Sequence, residues 1–136
     1  MRLIDTGFTM VLADSDAYLA EVSAKFLGAH GVRVTVMTDG ALVMRELERS
    51  SYSALVVSTN LTRVAGLDLC KQVRAAMPAM PIVVTGTGSA NERVLALLAG
   101  ADDYLRRPYS SRELIERITA ILRRRRSAYP AIVSSR

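Results

Sequence analysis

Short apolar runs alternate along the chain with segments of helical periodicity. Five runs are short and mostly aliphatic, as expected for buried strands, at residues 8–13, 32–37, 54–57, 82–85 and 104–106. Apolar residues recur every three or four positions in the segments between them, which predicts helices at residues 17–30, 39–47, 67–77 and 91–99. A last helix is predicted after a cap at Ser110 or Ser111, and Ser110 with Glu113 fits a capping box. The pattern is β-α repeated five times.

The apolar pattern of the strands predicts which faces of the sheet are buried. Most of them are continuous apolar runs rather than alternating ones, so both faces of the sheet are expected to be buried. This indicates the α/β class, with a doubly wound, five-stranded parallel sheet and helices on both sides. In such a sheet, ligand-facing loops gather at the carboxyl ends of the strands.

Polar side chains follow four of the five predicted strands. Because these strand ends meet at one edge, we expect the following residues to share a site: Asp14, Ser15, Asp16, Ser58, Thr59, Asn60, Thr85, Gly86, Thr87, Arg107 and Pro108. The segment SALVVSTNL, residues 53–61, is a buried run that ends in Ser58, so a weakly reactive hydroxyl stands where chemistry is usually placed.

Composition narrows the class of protein. The 136 residues suit one domain, predicted at residues 1–126, with residues 127–136 as a tail or linker. The net charge of +5 comes mainly from four arginines at residues 123–126, which gives little support to nucleic-acid binding by this domain itself. The single cysteine, Cys70, allows no internal disulfide and is expected in the core. No signal peptide or membrane span is expected, which favours a soluble, cytoplasmic protein.

Three motifs resemble one family. The segment AGADDYLRRPYSSRELIERITAILRR, residues 99–124, resembles the end of an OmpR/PhoB-type receiver domain of two-component response regulators. The segments GLDLCKQVR, residues 66–74, and VLADSD, residues 11–16, agree with it. The resemblance covers residues 8–124 and implies the flavodoxin-like (βα)5 receiver fold.

The resemblance also implies roles for strand-end residues, and three of these residues depart from the family pattern. Ser58 takes the place of the phosphoacceptor aspartate, and a serine hydroxyl is a weak nucleophile without an adjacent base. The acidic pair becomes Asp14 and Ser15, with Asp16 beside them, so Mg²⁺ binding is expected to be weak or absent and no metal site is assigned. Arg107, before Pro108, takes the place of a lysine.

The departures suggest that the strand-end pocket is closed by the protein itself. We expect Arg107 to pair with Asp14 or Asp16, from charge complementarity, and the bond before Pro108 is a candidate for the cis isomer. The switch residues of the family fall on Thr85 and on Tyr104, which is expected to be half-buried. The only histidine, His30, is expected far from this edge.

A second set of residues matches the family's dimer face, formed by the fourth helix, fifth strand and fifth helix. Its members here are Arg93, Asp102, Asp103, Glu113 and Arg117. The resemblance implies that Arg93 pairs with Glu113, and Asp103 with Arg117, across a homodimer. We expect a two-fold dimer that forms without phosphorylation, or contact with another signalling protein.

Three readings of function remain open. The favoured one is a pseudo-receiver, not an enzyme, that works by protein contacts without phosphorylation. The resemblance implies that it is the N-terminal regulatory part of a transcription regulator that binds DNA through an output domain not present in this chain. The second reading is phosphorylation at a non-standard acceptor, such as Asp16 or Ser58. The third is a sensor of small anions, with Arg107 and strand-end amides as ligands.

Overall fold

The computed structural model describes residues 7–128, and side chains up to Arg125. Five strands alternate with five helices, as the hydrophobic pattern predicts. The strands are β1 (Thr9–Ala13), β2 (Arg33–Met37), β3 (Ala54–Ser58), β4 (Ile82–Gly86) and β5 (Asp103–Arg106). The helices are α1 (Ala17–Ala29), α2 (Val43–Arg49), α3 (Gly66–Ala76), α4 (Ala90–Leu98) and α5 (Ser111–Ala128).

The strands form one parallel sheet in the order β2-β1-β3-β4-β5. Three of them, β1, β3 and β4, lie inside the sheet and are almost completely buried, whereas the edge strand β2 is only partly covered. The predicted doubly wound sheet is therefore confirmed. The register pairs Ser58 of β3 with Thr85 of β4, so the carboxyl ends of these neighbouring strands are level.

Two apolar layers cover the sheet. On one face, Met10 and Val56 pack with Leu27 of α1 and with Leu114 and Ile118 of α5. On the other face, side chains of α2, α3 and α4 pack against alternate residues of the same strands. Alternation of side chains along a strand sends neighbours to opposite faces, which explains why the central strands are apolar throughout.

Cys70 belongs to the second layer and is fully buried, as expected from its place in the apolar pattern of α3. Burial raises the pKa of its thiol to about 11. A thiol in this setting is a small apolar core residue rather than a nucleophile.

Local capping accounts for where several helices begin. Asp16 caps α1, with Oδ1 accepting a hydrogen bond from the Leu19 N–H at 3.0 Å. Of the two serines predicted to cap the last helix, Ser110 makes the contact, because its Oγ accepts from the Glu113 N–H at 3.0 Å. α3 has no side-chain cap. It begins at Gly66, where a Cβ atom would overlap the carbonyl of Ser58.

The structure differs from the sequence predictions at two element boundaries. The predicted second helix is divided into a 3-10 turn at Gly40–Leu42 and the helix α2, and the Asp39 carboxylate caps the turn by accepting from the Ala41 N–H at 2.9 Å. α5 continues through Ala128, past the predicted domain end at residue 126. The rest of the predicted tail, residues 129–136, lies outside the described residues. No helix within residues 7–128 is long and apolar enough to cross a membrane.

Candidate functional site: the carboxyl edge of the sheet

The strand-end residues predicted to form one site come together. Ser58 ends β3 and pairs with Thr85, the next-to-last residue of β4, while Asp14 follows β1 and Arg107 follows β5. Asp14, Ser58 and Thr85 are buried. The parallel sheet brings these residues to one edge although the chain separates them widely.

Ser58 is fully buried, and its hydroxyl has a structural role in the loop after β3. Its Oγ accepts a hydrogen bond from the Asn60 N–H at 3.2 Å. His30 lies at the end of α1, at the opposite edge of the sheet, and cannot serve as a base for this hydroxyl. Within residues 7–128, the Ser58 hydroxyl has no hydrogen bond to an imidazole or carboxylate that could activate it.

Ser15 joins the loops after β1 and β3 directly. Its Oγ donates to the Asn60 carbonyl at 2.6 Å, and its N–H donates to the Asn60 side-chain oxygen at 3.3 Å. Two hydrogen bonds from one residue to another fix the distance between the two loops. This contact needs no bound ion.

Arg107 lies over Asp14, so the structure contains the ion pair expected from charge complementarity. Arg107 Nη2 is 3.5 Å from Asp14 Oδ1, which also accepts the Asp16 N–H at 2.8 Å. Within residues 7–128, Asp14 Oδ2 and Arg107 Nε are buried and have no hydrogen-bond partner. The peptide bond between Arg107 and Pro108 is cis, as the sequence suggested.

The residues at this edge do not fit a strong Mg²⁺ site. Magnesium in proteins prefers carboxylate oxygens in octahedral geometry, and here two of the matching positions are the neutral hydroxyls of Ser15 and Ser58. The Asp14 carboxylate faces a guanidinium, and the Asp16 carboxylate caps α1. Within residues 7–128, no three His, Cys, Asp or Glu side chains form a group that could hold a metal ion.

Tyr104 is fully buried, so the prediction that it is half-buried is wrong. Its hydroxyl donates to Glu92 Oε1 in the first turn of α4 and accepts from the Gly88 N–H at 2.7 Å. The guanidinium carbon of Arg93 lies 5.2 Å from the ring centroid, within the range of a cation–π contact. The ring is thus held by contacts at both its hydroxyl and its face.

Glu92 is a site residue that the sequence analysis missed. Burial alone would raise its pKa, but hydrogen bonds from the Tyr104 hydroxyl and from Thr87 outweigh this effect and hold the pKa below its usual value. Burial, together with the bond to Glu92, raises the pKa of Tyr104. The available signal was the capping-box spacing of Ser89 and Glu92, which marks Glu92 as a residue whose side chain turns back over the helix start.

Most charged residues of the predicted dimer face have partners within the chain. Arg117 Nη1 lies 3.2 Å from Asp103 Oδ2, and Nη2 lies 3.5 Å from a Glu113 carboxylate oxygen. Asp103 and Arg117 therefore pair inside one chain, and Arg93 stacks on Tyr104. The cross-subunit use of these residues stays a prediction.

Asp102 also has partners within the chain, and sequence reasoning did not find them. Its two carboxylate oxygens lie 2.9 Å from Arg74 Nη2 and 2.8 Å from Arg125 Nη2. It accepts the Ile82 N–H at 2.9 Å as well. Asp102 thus joins α3, α5 and the start of β4.

The face next to Tyr104 is apolar. α4 exposes four large aliphatic side chains, of which Leu98 is the most accessible at 78%. The others are Val94, Leu95 and Leu97. Adjacent exposed apolar residues on one short helix mark a surface suited to protein contact.

Comparisons with known proteins agree with the geometry. The sequence matches the response regulator receiver domain family over residues 10–119. It is 38% identical over 116 residues to the sensory transduction protein RegX3 of Mycobacterium tuberculosis, covering 85% of this chain and 51% of that protein. It is 37% identical over 116 residues to the response regulator MprA of Mycobacterium leprae, with the same two coverages. The chain therefore spans about half the length of these relatives.

Solved structures share the fold. A putative response regulator from Chloroflexus aurantiacus has a TM-score of 0.79 and 29% identity, over 85% of this chain and 97% of that one. DrrB, an OmpR/PhoB homolog from Thermotoga maritima, has a TM-score of 0.77 and 23% identity, over 87% of this chain and 54% of that one. The chain belongs to the response regulator receiver domain family and is similar in sequence to RegX3 and MprA.

Proposed function

We propose that this chain is a pseudo-receiver, a cytoplasmic signalling domain that acts through protein contacts without phosphorylation of the strand-end pocket. The observation that carries the proposal is the buried, neutral Ser58 at the carboxyl end of β3, where the family resemblance places the phosphoacceptor. A neutral hydroxyl without an adjacent base is a poor nucleophile toward phosphorus. On this proposal the domain has no enzymatic activity and does not depend on Mg²⁺.

The closed strand edge supports the same conclusion. Arg107 pairs with Asp14, and Ser15 bonds to Asn60, so side chains of the protein join the loops after β1, β3 and β5. An arginine presents a wide, planar guanidinium rather than the compact ammonium of a lysine, and the two are not interchangeable at a small site.

The intact mass of the protein after incubation with acetyl phosphate, with and without Mg²⁺, tests the proposal. We expect no added phosphoryl group on the wild type under either condition. The matched control is the triple variant Ser15→Asp, Ser58→Asp, Arg107→Lys, which places two carboxylates and an ammonium at the strand ends. Phosphorylation of this variant in Mg²⁺ would show that the fold and reagents are competent.

A phosphoryl adduct on the wild type would overturn the proposal. Peptide mapping would then separate the two acceptors suggested by the sequence. An acyl phosphate on Asp16 is cleaved by hydroxylamine, whereas a phosphate ester on Ser58 is not. Either result would identify a receiver phosphorylated at a non-standard residue.

The partner surface is proposed to be the α4-β5-α5 face, with a second copy of the chain as its occupant. The apolar side chains of α4 supply the contact area, and Arg93, Glu113 and Arg117 at its margin supply charges that can orient the subunits. The intrachain pairs of Asp103 and Asp102 reduce the number of charges free to act across such an interface.

The shorter length of this chain relative to RegX3 and MprA leaves room for a second domain in a longer parent protein. We propose that DNA contact, where it occurs, belongs to an output domain outside these residues. The α5 helix, which carries the arginine run in its last turns, is the element that would lead into it. A sensor kinase or the output domain is then the further partner.

A further inference from the structure

We propose that Glu92 holds Tyr104 in its buried position, so that a carboxylate of the chain itself maintains the orientation of this aromatic residue. Glu92, Thr87, Gly88 and Tyr104 are called the Glu92 latch. The inference rests on the proposed function, because Glu92 would hold Tyr104 in place in a domain whose strand-end pocket is not phosphorylated. The two can fail separately, since Tyr104 accessibility and phosphoryl uptake are different measurements.

The hydrogen bonds of the latch converge on one oxygen. Glu92 Oε1 accepts from the Tyr104 hydroxyl, from the Thr87 N–H at 2.7 Å and from Thr87 Oγ1 at 3.2 Å. In a capping box this carboxylate would bond to the N–H of the N-cap residue, Ser89. Here it bonds to Thr87 and Tyr104 instead, and so ties α4 and its preceding loop to β5.

Gly86 provides the space that the latch needs. A Cβ atom at this position would overlap Glu92 Oε1 and would lie 2.6 Å from the Tyr104 hydroxyl oxygen. Any larger residue at the end of β4 would therefore displace the carboxylate, the phenol or both. The glycine and the glutamate act together, six residues apart in the sequence.

Removal of the Glu92 carboxylate leaves the buried Tyr104 hydroxyl without its acceptor. A buried polar group that loses its partner is costly, so the ring is expected to leave its pocket more often. Arg93, stacked on the ring, and the apolar side chains of α4 lie on the same helix as Glu92. The latch therefore links the position of Tyr104 to the face proposed for dimerisation.

Tyrosine acetylation by N-acetylimidazole, followed by peptide mass spectrometry, tests the inference. Tyr18, which is 81% exposed, is the internal standard in each sample. We expect slow modification of Tyr104 in the wild type, and an increase of about tenfold in Glu92→Ala relative to Tyr18. Glu116→Ala, which removes an exposed carboxylate from α5, is the matched control and should leave Tyr104 protected.

Gly86→Ala provides a second, independent variant, because it displaces the latch without removing the carboxylate. It should also raise Tyr104 modification, with the far-ultraviolet circular dichroism of the wild type retained. Equal Tyr104 modification in the wild type and in folded Glu92→Ala or Gly86→Ala would overturn the inference. An equal increase in Glu116→Ala would do the same, since the effect would then not depend on the latch.

Discussion

Arg107 is the residue that brings a positive charge to the buried strand edge. Its guanidinium lies 3.5 Å from Asp14, whose side chain is fully buried. Ser58 adds no charge, so Asp14 and Arg107 are left to balance one another at this edge. A buried carboxylate without a cation beside it is strongly unfavourable. We therefore expect the Asp14–Arg107 pair to contribute to the stability of the fold.

Arg107→Ala should lower the stability of the fold. The expected loss is about 1–3 kcal/mol, limited by the length of the contact and by the partial exposure of Arg107. The melting temperature should fall by roughly 5–15 °C. Arg106→Ala, at the exposed neighbouring residue, is the control, and differential scanning calorimetry is the measurement. An unchanged melting temperature in Arg107→Ala would show that the pair does not stabilise the protein.

At the scale of elements, Asp102 joins parts of the fold that are distant in sequence. Its carboxylate forms ion pairs with Arg74 of α3 and Arg125 of α5. Arg74 also donates to the carbonyls of Gly100, Pro78 and Met80, each at 2.8 Å. The Asp102 carboxylate thus attaches α3 and α5 to the loop before β5. Several hydrogen bonds converge on this one group.

Asp102→Asn should weaken this attachment. Because these side chains are partly exposed, the expected loss in the free energy of unfolding is about 1–2 kcal/mol. Urea unfolding measures it, and Glu48→Gln removes the same charge from an exposed position as the control. The difference between the variants should shrink at high salt, because exposed charges are screened. Identical midpoints for Asp102→Asn and Glu48→Gln would contradict the structural role of Asp102.

At the scale of the whole molecule, exposed large apolar side chains are more numerous on α4 than on α1, which exposes Tyr18 and Val22. α1 and α5 cover one side, whereas α4 on the other side carries four exposed aliphatic side chains. A two-fold dimer through α4, β5 and α5 would bury this surface in both copies at once. The charged residues at its edge would affect orientation more than affinity.

Leu98→Glu should shift the proposed dimer toward monomer. Each subunit contributes one copy of the residue, so the substitution places two carboxylates in the interface, and we expect the dissociation constant to rise by about tenfold or more. Val22→Glu, an equivalent change at an exposed position of α1, is the control and should leave the dissociation constant unchanged. Sedimentation equilibrium is the measurement. A wild type that is monomeric at its highest soluble concentration would rule out the dimer.

The alternation of apolar runs and helical segments determined the fold class, the order of elements and the edge at which Asp14, Ser58, Thr85 and Arg107 meet. These follow from local periodicity and from the rule that parallel strands end together. The prediction that Ser58 takes the place of the family's phosphoacceptor also needed no coordinates, because the resemblance of the segment beginning at Gly66 locates it; it stays a prediction.

The tertiary structure alone decided which partners the polar side chains take. The choice of Asp14 for Arg107, the three hydrogen bonds on Glu92 Oε1 and the two arginines on Asp102 depend on distances between segments far apart in the chain. Periodicity states which face a residue occupies, but not which of several charged neighbours lies within hydrogen-bonding distance. Tyr104 is buried for the same reason: its environment is formed by α4 and the loop after β4, which the pattern of β5 does not encode.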